Sequence, residues 1–464
     1  MAIADHIVRG GPRVAQGTAA RAASKPQAIV PLFFAFLALP SGFAVKVFDA
    51  TLYPARMFVL VMIPFALGKL MRDRSARFLA SDFFVVAFAL WLWLSIIVNH
   101  QLGKGLYFGG SLAVEAVGAY LIARAYVRTF PDFMRAAAAY FATVLVAAAI
   151  AVPEALIGYS FAHEIASMVM GGEVPVWIKV SYASIYRRLG LMRPFSTFDH
   201  PILFGTFCAG ATGLVYFLYD GVQRWWRLLV IAGAVFISLS SGPYIAFLLA
   251  VALCVWERLT RRVPHRVLIS SAIVSAGYLL VSLVSNRGVL SIILASTLDP
   301  ASGYYRLSIW EYGSAAVARS PWFGVGFDGW SRPSWMSQSV DNFWLNIGLL
   351  GGVPTVGALV LGIAFMLLSV YLRTTPTESY SRLMARNSWA VTVIVLSVQG
   401  LTVHYWGQLF MFFLFVIGLG AWMADTREGA VAPSQGGPRP QLGRRTIKVP
   451  TRMEPRVGRL HIRD

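Results

Sequence analysis

Charged residues are scarce in this chain of 464 residues: Asp, Glu, Lys and Arg make up 13% of it, whereas hydrophobic residues make up 57%. An ordinary soluble domain has about 25% charged residues. Because so few charges cannot cover a folded surface, the composition excludes an ordinary soluble protein and indicates a protein that folds in lipid. Acidic residues are the scarcer kind, 21 against 40 Lys and Arg, and the formal net charge is +19.

Several signals of familiar chemistry are also missing. The sequence has no Walker-type phosphate loop and no convincing dinucleotide fingerprint. Its predicted outer face has no Asp-x-Asp pair and no cluster of His and carboxylate residues, so neither a metal nor another cofactor is expected. Both cysteines, Cys208 and Cys254, lie inside apolar runs and are expected to be packing residues. No usual signal-peptide pattern is present, so we expect the first span to direct insertion.

Long apolar runs dominate what the chain does contain. A helix needs roughly 20 residues to cross a bilayer, and most of the runs approach that length when their polar edges are included. The runs are residues 29–43, 57–70, 83–98, 106–127, 133–157, 202–219, 228–238, 244–255, 267–284, 351–372, 389–403 and 409–423. They predict an all-α, polytopic integral membrane protein with about twelve transmembrane helices. Within one run, Glu115 is expected to face the bundle and Arg124 to reach the cytoplasmic head groups.

The positive charges cluster in segments that alternate to one side of the predicted membrane. This positive-inside pattern places both termini in the cytoplasm, and it explains the basic charge without nucleic acid. We therefore divide the chain into a cytoplasmic tail (1–27), a membrane domain (28–426) and a basic, disordered cytoplasmic tail (427–464) that contacts anionic lipid.

Two long segments remain on the outer, periplasmic face, at about residues 158–200 and 285–340. Long loops are uncommon without a function. Both carry arginines that the orientation rule does not explain, among them Arg187, Arg193 and Arg306. Since arginine is permanently charged and binds phosphate through two donors, an anionic partner such as phosphate accounts for them better.

The same segments are rich in aromatic residues. Tyr304, Tyr305 and Trp310 are examples from the second one. Two causes remain open, because Tyr and Trp favour the lipid head-group layer and aromatic rings also stack on sugars.

A set of short motifs lies in and beside these segments. In chain order they are LGLMRPFSTFDHP (189–201) with Gly205, SLSSG (238–242), GYYR (303–306) with Trp310, PWFGVG (321–326), DNFWL (341–345) and GGVP (351–354). Their order and placement resemble the O-antigen ligase and Wzy-type polysaccharide polymerase family over about residues 189–361. The ligases typically have His before the Asn of the DNFWL motif, whereas this chain has Asp341, which favours a polymerase.

The resemblance implies a membrane glycosyltransferase. A polyprenyl diphosphate carries the growing chain, a second lipid-linked repeat unit supplies a hydroxyl, and polyprenyl diphosphate is released. It also implies partners in the same pathway, a chain-length regulator and a flippase. A ligase remains the alternative of the same class, and a transporter or flippase of lipid-linked oligosaccharide the alternative of another class, although no matching halves are visible.

Roles follow for the residues that match the motifs. Arg193 and Arg306 are expected to bind the diphosphate and to stabilise its charge as it leaves. Asp341 is the leading general base, with His200 and Asp199 as rivals, and His200 equally suits a cap on the following helix. The other residues expected to contact substrate are Asp199, Arg187, Ser240, Ser241, Tyr304, Tyr305, Trp310 and Asn342. For Ser240 and Ser241, a role in the turn between two helices is an equal alternative.

Overall fold

The computed structural model describes residues 28–47, 50–171, 173–182, 187–284, 300–327, 329–374 and 379–425. Both predicted tails, 1–27 and 427–464, lie outside these residues, as does the first part of the second long segment, 285–299. The predicted domain boundaries and the side of the membrane on which each segment lies stay predictions.

Helices make up most of the described chain. The first group comprises α1 (Ile29–Leu37), α2 (Pro54–Arg72), α3 (Ala80–Asn99), α4 (Leu102–Tyr126), α5 (Phe130–Ile157), α6 (Phe161–Met170) and α7 (Val176–Ser181). The second group comprises α8 (Pro201–Leu218), α9 (Gly221–Ile237), α10 (Ser241–Thr260), α11 (Arg266–Val284), α12 (Pro300–Arg319), α13 (Phe343–Arg373), α14 (Tyr380–Gln399), α15 (Gly407–Leu419) and α16 (Ala421–Asp425). A short antiparallel hairpin of β1 (Val45–Val47) and β2 (Ala50–Leu52) precedes α2.

Eight helices in the described part of the chain are long and apolar enough to cross a membrane. They are α2, α3, α4, α5, α8, α10, α13 and the stretch Gly407–Asp425, which joins α15 and α16. The prediction of an all-α, multi-pass membrane protein is therefore confirmed. The other apolar runs lie on α1, α9, α11 and α14, which are outside this group of eight, so the number of about twelve spans stays a prediction.

The centre of the bundle is formed by α8 and by Gly407–Asp425, whose apolar windows are 83% and 94% buried. Helix α8 packs against α9, α10, α14 and α5, while α15 packs along α4. At Gly205 of α8, an added Cβ would lie 2.6 Å from the side chains of Pro243 and Ser238. This glycine lets the start of α10 approach α8 closely, as small residues do between membrane helices.

A loop docks on a break inside α13. Gly352 has φ 72° and ψ −175°, which interrupts the helix. The backbone N–H of Val353 then donates to the carbonyl oxygen of Pro321 at 2.7 Å, and that of Val325 donates to Leu349 at 2.7 Å. The PWFGVG and GGVP motifs are thus two sides of one contact, and this contact places the second long segment against the start of α13.

The charged residues of α4 are buried rather than directed to lipid. Glu115 faces the bundle as predicted and is 0% exposed. The expectation that Arg124 reaches the head groups is wrong, because its side chain is 3% exposed and is paired with Asp82 (Nε to Oδ1, 3.0 Å) and with Asp425. Two carboxylates neutralise the arginine inside the bundle, so it does not need to reach water.

The break in α13 generates a test of the fold. Ala in place of Gly352 would meet the Pro321 carbonyl oxygen at 2.4 Å in a backbone region that suits glycine alone. We expect Gly352→Ala to lower the free energy of unfolding by at least about 1–3 kcal/mol, measured by thermal unfolding of the purified protein in detergent. The control is Gly357→Ala on the same helix, where no atom lies within 4 Å and where Ala should be neutral or stabilising by up to about 1 kcal/mol. Equal effects at both positions would contradict the docked loop.

Candidate active site

The segment that leads into α8 is anchored at Ser196, which has a φ of 54°. The Ser196 backbone N–H donates to Oε2 of Glu154 at 2.7 Å, and its hydroxyl donates to the carbonyl oxygen of Ala147 at 2.8 Å. Glu154 is fully buried on α5 and also accepts from the Ser160 hydroxyl at 3.2 Å. Because a buried carboxylate depends on such donors, Glu154 holds the chain three residues after Arg193.

A second anchor comes from α15. The amide nitrogen of Gln408 lies 2.8 Å from the carbonyl oxygen of Thr197 and 2.9 Å from that of Leu39. The next acidic residue, Asp199, accepts a hydrogen bond from the hydroxyl of Ser41. The Asp199 carboxylate is therefore engaged by the chain just before the hairpin, and its predicted part in the chemistry stays a prediction.

Two arginines of this segment meet the turn between α9 and α10. Arg193 Nη2 donates to the hydroxyl of Ser240 at 3.2 Å, and Arg188 Nη1 donates to the carbonyl oxygen of Leu239 at 2.9 Å. The Nε of Arg193 is buried with no hydrogen-bond partner among the described residues. Arg187, the neighbour that we expected to contact substrate, is exposed. Arg188, to which no role was assigned from sequence, is therefore the second arginine at this turn.

These arginines interact electrostatically with residues in and beside the second long segment, namely Arg306 and Asp341. Burial, and then the positive charges of Arg188 and Arg306, lower the pKa of Arg193 to about 10, while Asp341 opposes them. Burial raises the pKa of Asp341, although Arg306 and Arg193 act to lower it. Arg188, Arg193, Arg306 and Asp341 thus form one group, here called the arginine–aspartate cluster. At neutral pH its net charge is positive, which suits an anion.

His200 lies beside the cluster at the N-cap of α8. Its Nδ1 accepts the backbone N–H of Ile202 at 3.1 Å. Burial, together with the charges of Arg193 and Arg188, lowers the pKa of His200 to about 3. The ring is therefore neutral at neutral pH and, since Nδ1 is an acceptor, it carries its proton on Nε2. This geometry makes His200 a cap and a hydrogen-bond donor.

Asp341 is placed by the residue that follows it. The amide oxygen of Asn342 accepts the backbone N–H of Leu345 at 2.8 Å, which caps α13, and its amide nitrogen donates to the carbonyl oxygen of Leu401 at 2.6 Å. Both ends of the Asn342 amide are thus used by the fold. Its side chain fixes the start of α13 and the backbone that presents Asp341, while its predicted contact with substrate stays a prediction.

Two cavities each have one member of the cluster in their lining, whereas Arg188 and Arg306 line neither. The large cavity has a volume of about 860 Å³ and includes Asp341 and His200 in its lining. The small cavity has a volume of about 550 Å³ and includes Arg193 and His200 in its lining. Both volumes fall within the roughly 300–1,000 Å³ that is typical of ligand sites, and His200 is a wall of both.

The aromatic residues that we predicted to contact substrate lie outside the linings of both cavities. Tyr304 is 46% exposed, and Trp310 is half-buried on the same helix, α12. The Tyr305 hydroxyl accepts the backbone N–H of Ser337 at 2.7 Å, and its ring lies 6.2 Å from that of Trp335. Neither cavity has these three predicted residues in its lining, and the same holds for Arg187, Asp199, Ser240 and Ser241.

The large cavity also contains polar residues to which the sequence analysis gave no role. Arg56 Nε donates to Oε1 of Glu115 at 2.7 Å, and the Tyr53 hydroxyl donates to the same oxygen. His404 also lines this cavity, and burial lowers its pKa to about 4. In the sequence, an acidic residue in the middle of an apolar run indicated Glu115, but it gave no indication of its partners Arg56 and Tyr53.

No metal site is visible in the part of the chain that the structure describes, since no three or more His, Cys, Asp and Glu side chains there are grouped to hold an ion. The two described cysteines, Cys208 and Cys254, are buried and not joined. In the described residues, the positive charge of the arginine–aspartate cluster comes from Arg188, Arg193 and Arg306.

The anchor at Ser196 generates a test of the site. We expect Glu154→Ala to lower the free energy of unfolding by about 1–3 kcal/mol, because the buried N–H of Ser196 loses its acceptor. Thermal unfolding in detergent measures the change. The matched control is Glu173→Ala, because Glu173 has an 89% exposed side chain and only a surface ion pair with Lys179; this variant should stay within about 0.5 kcal/mol of the unaltered protein. Equal unfolding temperatures for the two variants would show that Glu154 does not anchor Ser196.

The sequence is similar to known proteins over part of its length. Residues 226–360 match the model of the protein family described as O-Antigen ligase. The matched region contains Ser240, Arg306, Asp341 and the break at Gly352, whereas Arg193 and His200 precede it. No curated protein matches the sequence. The match confirms the resemblance to the O-antigen ligase and Wzy-type polymerase family over residues 226–360.

Proposed function

We propose that the protein polymerises polyprenyl-diphosphate-linked oligosaccharide repeat units into a surface polysaccharide, without a metal, at the periplasmic face of a bacterial inner membrane. The observation that carries the proposal is the arginine–aspartate cluster, in which a buried excess of positive charge lies next to a carboxylate whose pKa is raised. An anionic leaving group and a hydroxyl that must lose a proton are the two things that such a site serves.

The reaction is a displacement at the anomeric carbon of the donor sugar. Asp341 accepts the proton of the acceptor hydroxyl as its oxygen bonds to that carbon. The bond from the carbon to the diphosphate oxygen breaks, and its electron pair leaves with polyprenyl diphosphate. Arg193 and Arg306 stabilise the charge that develops on the departing diphosphate. Direct displacement predicts that the anomeric configuration is inverted.

His200 acts as a donor in this scheme and Asp341 as the base. The Nδ1 of His200 is already used at the helix cap, so the proton on Nε2 is available to a phosphate oxygen. A base needs a free lone pair and a pKa near the working pH. Asp341 meets these requirements better, because burial raises its pKa whereas that of His200 is about 3.

Two other functions remain as alternatives. The description of the matched family favours a ligase, which moves finished polymer to a different acceptor, and the arginines also suit a transporter of lipid-linked oligosaccharide. Deletion of the gene separates the three. We expect single repeat units on lipid, displayed outside and never joined. Finished polymer left on the polyprenyl carrier would establish a ligase, and repeat units trapped on the cytoplasmic side would establish a transporter.

The arginines generate the first test. We expect Arg193→Ala and Arg306→Ala to lower the rate of polymer formation by about 10²–10³ each, as loss of a preorganised donor does. Polymer length and yield are measured in the deletion strain that carries each variant, together with the amount of folded protein in the membrane. Arg319→Ala is the control, since Arg319 is on the same helix as Arg306 but is exposed. Normal polymer with both active-site variants would refute the mechanism.

The pH dependence provides the second test. The carboxylate of Asp341 is the active form of the base, and its pKa is raised. Activity should therefore fall, as the medium is acidified, at a pH above the ordinary aspartate value of about 3.9. The rate of polymer formation by the purified protein measures this limb, and Asp341→Asn should abolish both the activity and the limb. An unchanged profile in Asp341→Asn would assign the base to another group.

A further inference from the structure

We infer that the two cavities hold the two substrates separately. The small cavity takes the diphosphate and the first isoprenyl units of the donor, and the large cavity takes the glycan of the acceptor. This inference rests on the proposed function and adds to it the place of each substrate.

The lining of the small cavity suits an apolar chain with an anionic head. Val176, Trp177 and Val180 of α7 form one side, and each is more than two-fifths exposed. Phe195 and Pro201 continue the apolar surface inward. At the inner end stand Arg193, whose buried Nε has no partner among the described residues, and His200. An isoprenyl diphosphate combines an apolar tail with a charged head in the same order.

The large cavity has a different character. Arg56 lines it, but its charge is compensated by Glu115 at 2.7 Å. The guanidinium therefore adds hydrogen-bond donors without a net positive charge. Gln338, Ser339 and Asn346 add further polar groups. A neutral polyol matches such a lining, whereas a diphosphate would find no excess of positive charge there apart from the cluster itself.

Aromatic rings complete the large cavity. Tyr107, Phe108, Phe327 and Trp406 contribute to its lining. Flat rings beside hydrogen-bonding groups are the surface that a sugar needs, because its C–H faces pack on rings while its hydroxyls bond to the polar groups. Both cavities have apolar side chains in their lining, but the large one has more rings and more neutral polar groups than the small one, whose rings besides His200 are Trp177 and Phe195. The large cavity is therefore the better match for the acceptor glycan.

His200 is the boundary between the two substrates. Its ring lies 6.3 Å from that of Phe195, in the small cavity, and 6.1 Å from that of Trp406, in the large one. Arg193 faces the small cavity and Asp341 the large one. The diphosphate would thus leave towards the small cavity while the acceptor hydroxyl attacks from the large one, and two separate sites for these groups suit a direct displacement.

Photo-crosslinking tests this assignment without the need for turnover. The probe is a sugar-free isoprenyl diphosphate with a diazirine in its first isoprenyl unit, added to the purified full-length protein in lipid nanodiscs. We expect saturable labelling of the stretch 173–182 or of Phe195, competed by inorganic pyrophosphate. Val180→Trp, which fills the small cavity, should lower the labelling about tenfold or more. Val169→Trp is the control, since Val169 is 67% exposed on the neighbouring helix α6 and lines neither cavity.

A kinetic measurement tests the large cavity. Ser339→Trp should raise the KM for a repeat unit on a short alkyl chain, used as a soluble acceptor, by about tenfold and should leave the labelling by the probe unchanged. Saturable labelling of Tyr107, Phe108 or Phe327 instead would overturn the assignment of the cavities while the proposed function stands. If pyrophosphate reduced none of the labelling, the proposed function would be overturned as well.

Discussion

The chain around the site has to hold several arginine side chains close together in a poorly solvated place. The charges of Arg188 and Arg306 act on Arg193, and Asp341 is the carboxylate that opposes them there. Like charges in a poorly solvated place repel, and the repulsion and burial together lower the pKa of Arg193 to about 10. The cluster stays assembled only if the surrounding chain is fixed firmly, and an incoming diphosphate relieves the repulsion. The same constraint that makes the site costly to fold makes it selective for an anion.

The fold meets this constraint with anchors that lie outside the cluster. Glu154 and Gln408 bind the backbone on the C-terminal side of Arg193, the turn at Leu239 and Ser240 binds Arg188 and Arg193, and Asn342 caps the helix that Asp341 precedes. Each anchor makes at least one hydrogen bond to another part of the protein, and breaking a buried hydrogen bond is costly, so each resists displacement. Arg193 and Asp341 lie in irregular segments and Arg306 lies within α12, whereas the groups that hold the site lie at or beside the ends of other helices.

Sequence reasoning predicted the helices well because the length of an apolar run is a one-dimensional property that the bilayer thickness determines. It also selected Arg193, Arg306 and Asp341, which the structure brings together, because the order of the motifs carried that information. It chose Arg187 where the structure favours Arg188, since an irregular segment has no period from which the facing side can be derived. It missed Glu154 and Gln408, although a carboxylate inside an apolar run was a signal that had been used for Glu115. The break at Gly352 and the burial of Arg124 depend on contacts with distant segments, which no local pattern contains.

The central claim is that one diphosphate leaves for each sugar linkage that forms, with arginine as the source of positive charge. The most direct measurement is reconstitution of the purified full-length protein in liposomes with a single kind of polyprenyl-diphosphate-linked repeat unit, a chelator and no nucleotide. Mass spectrometry then counts linkages and free polyprenyl diphosphate. We expect the protein to join repeat units into chains and to release one polyprenyl diphosphate per linkage. Repeat units that cross the bilayer unjoined, or joining that stops when the chelator is added, would contradict it.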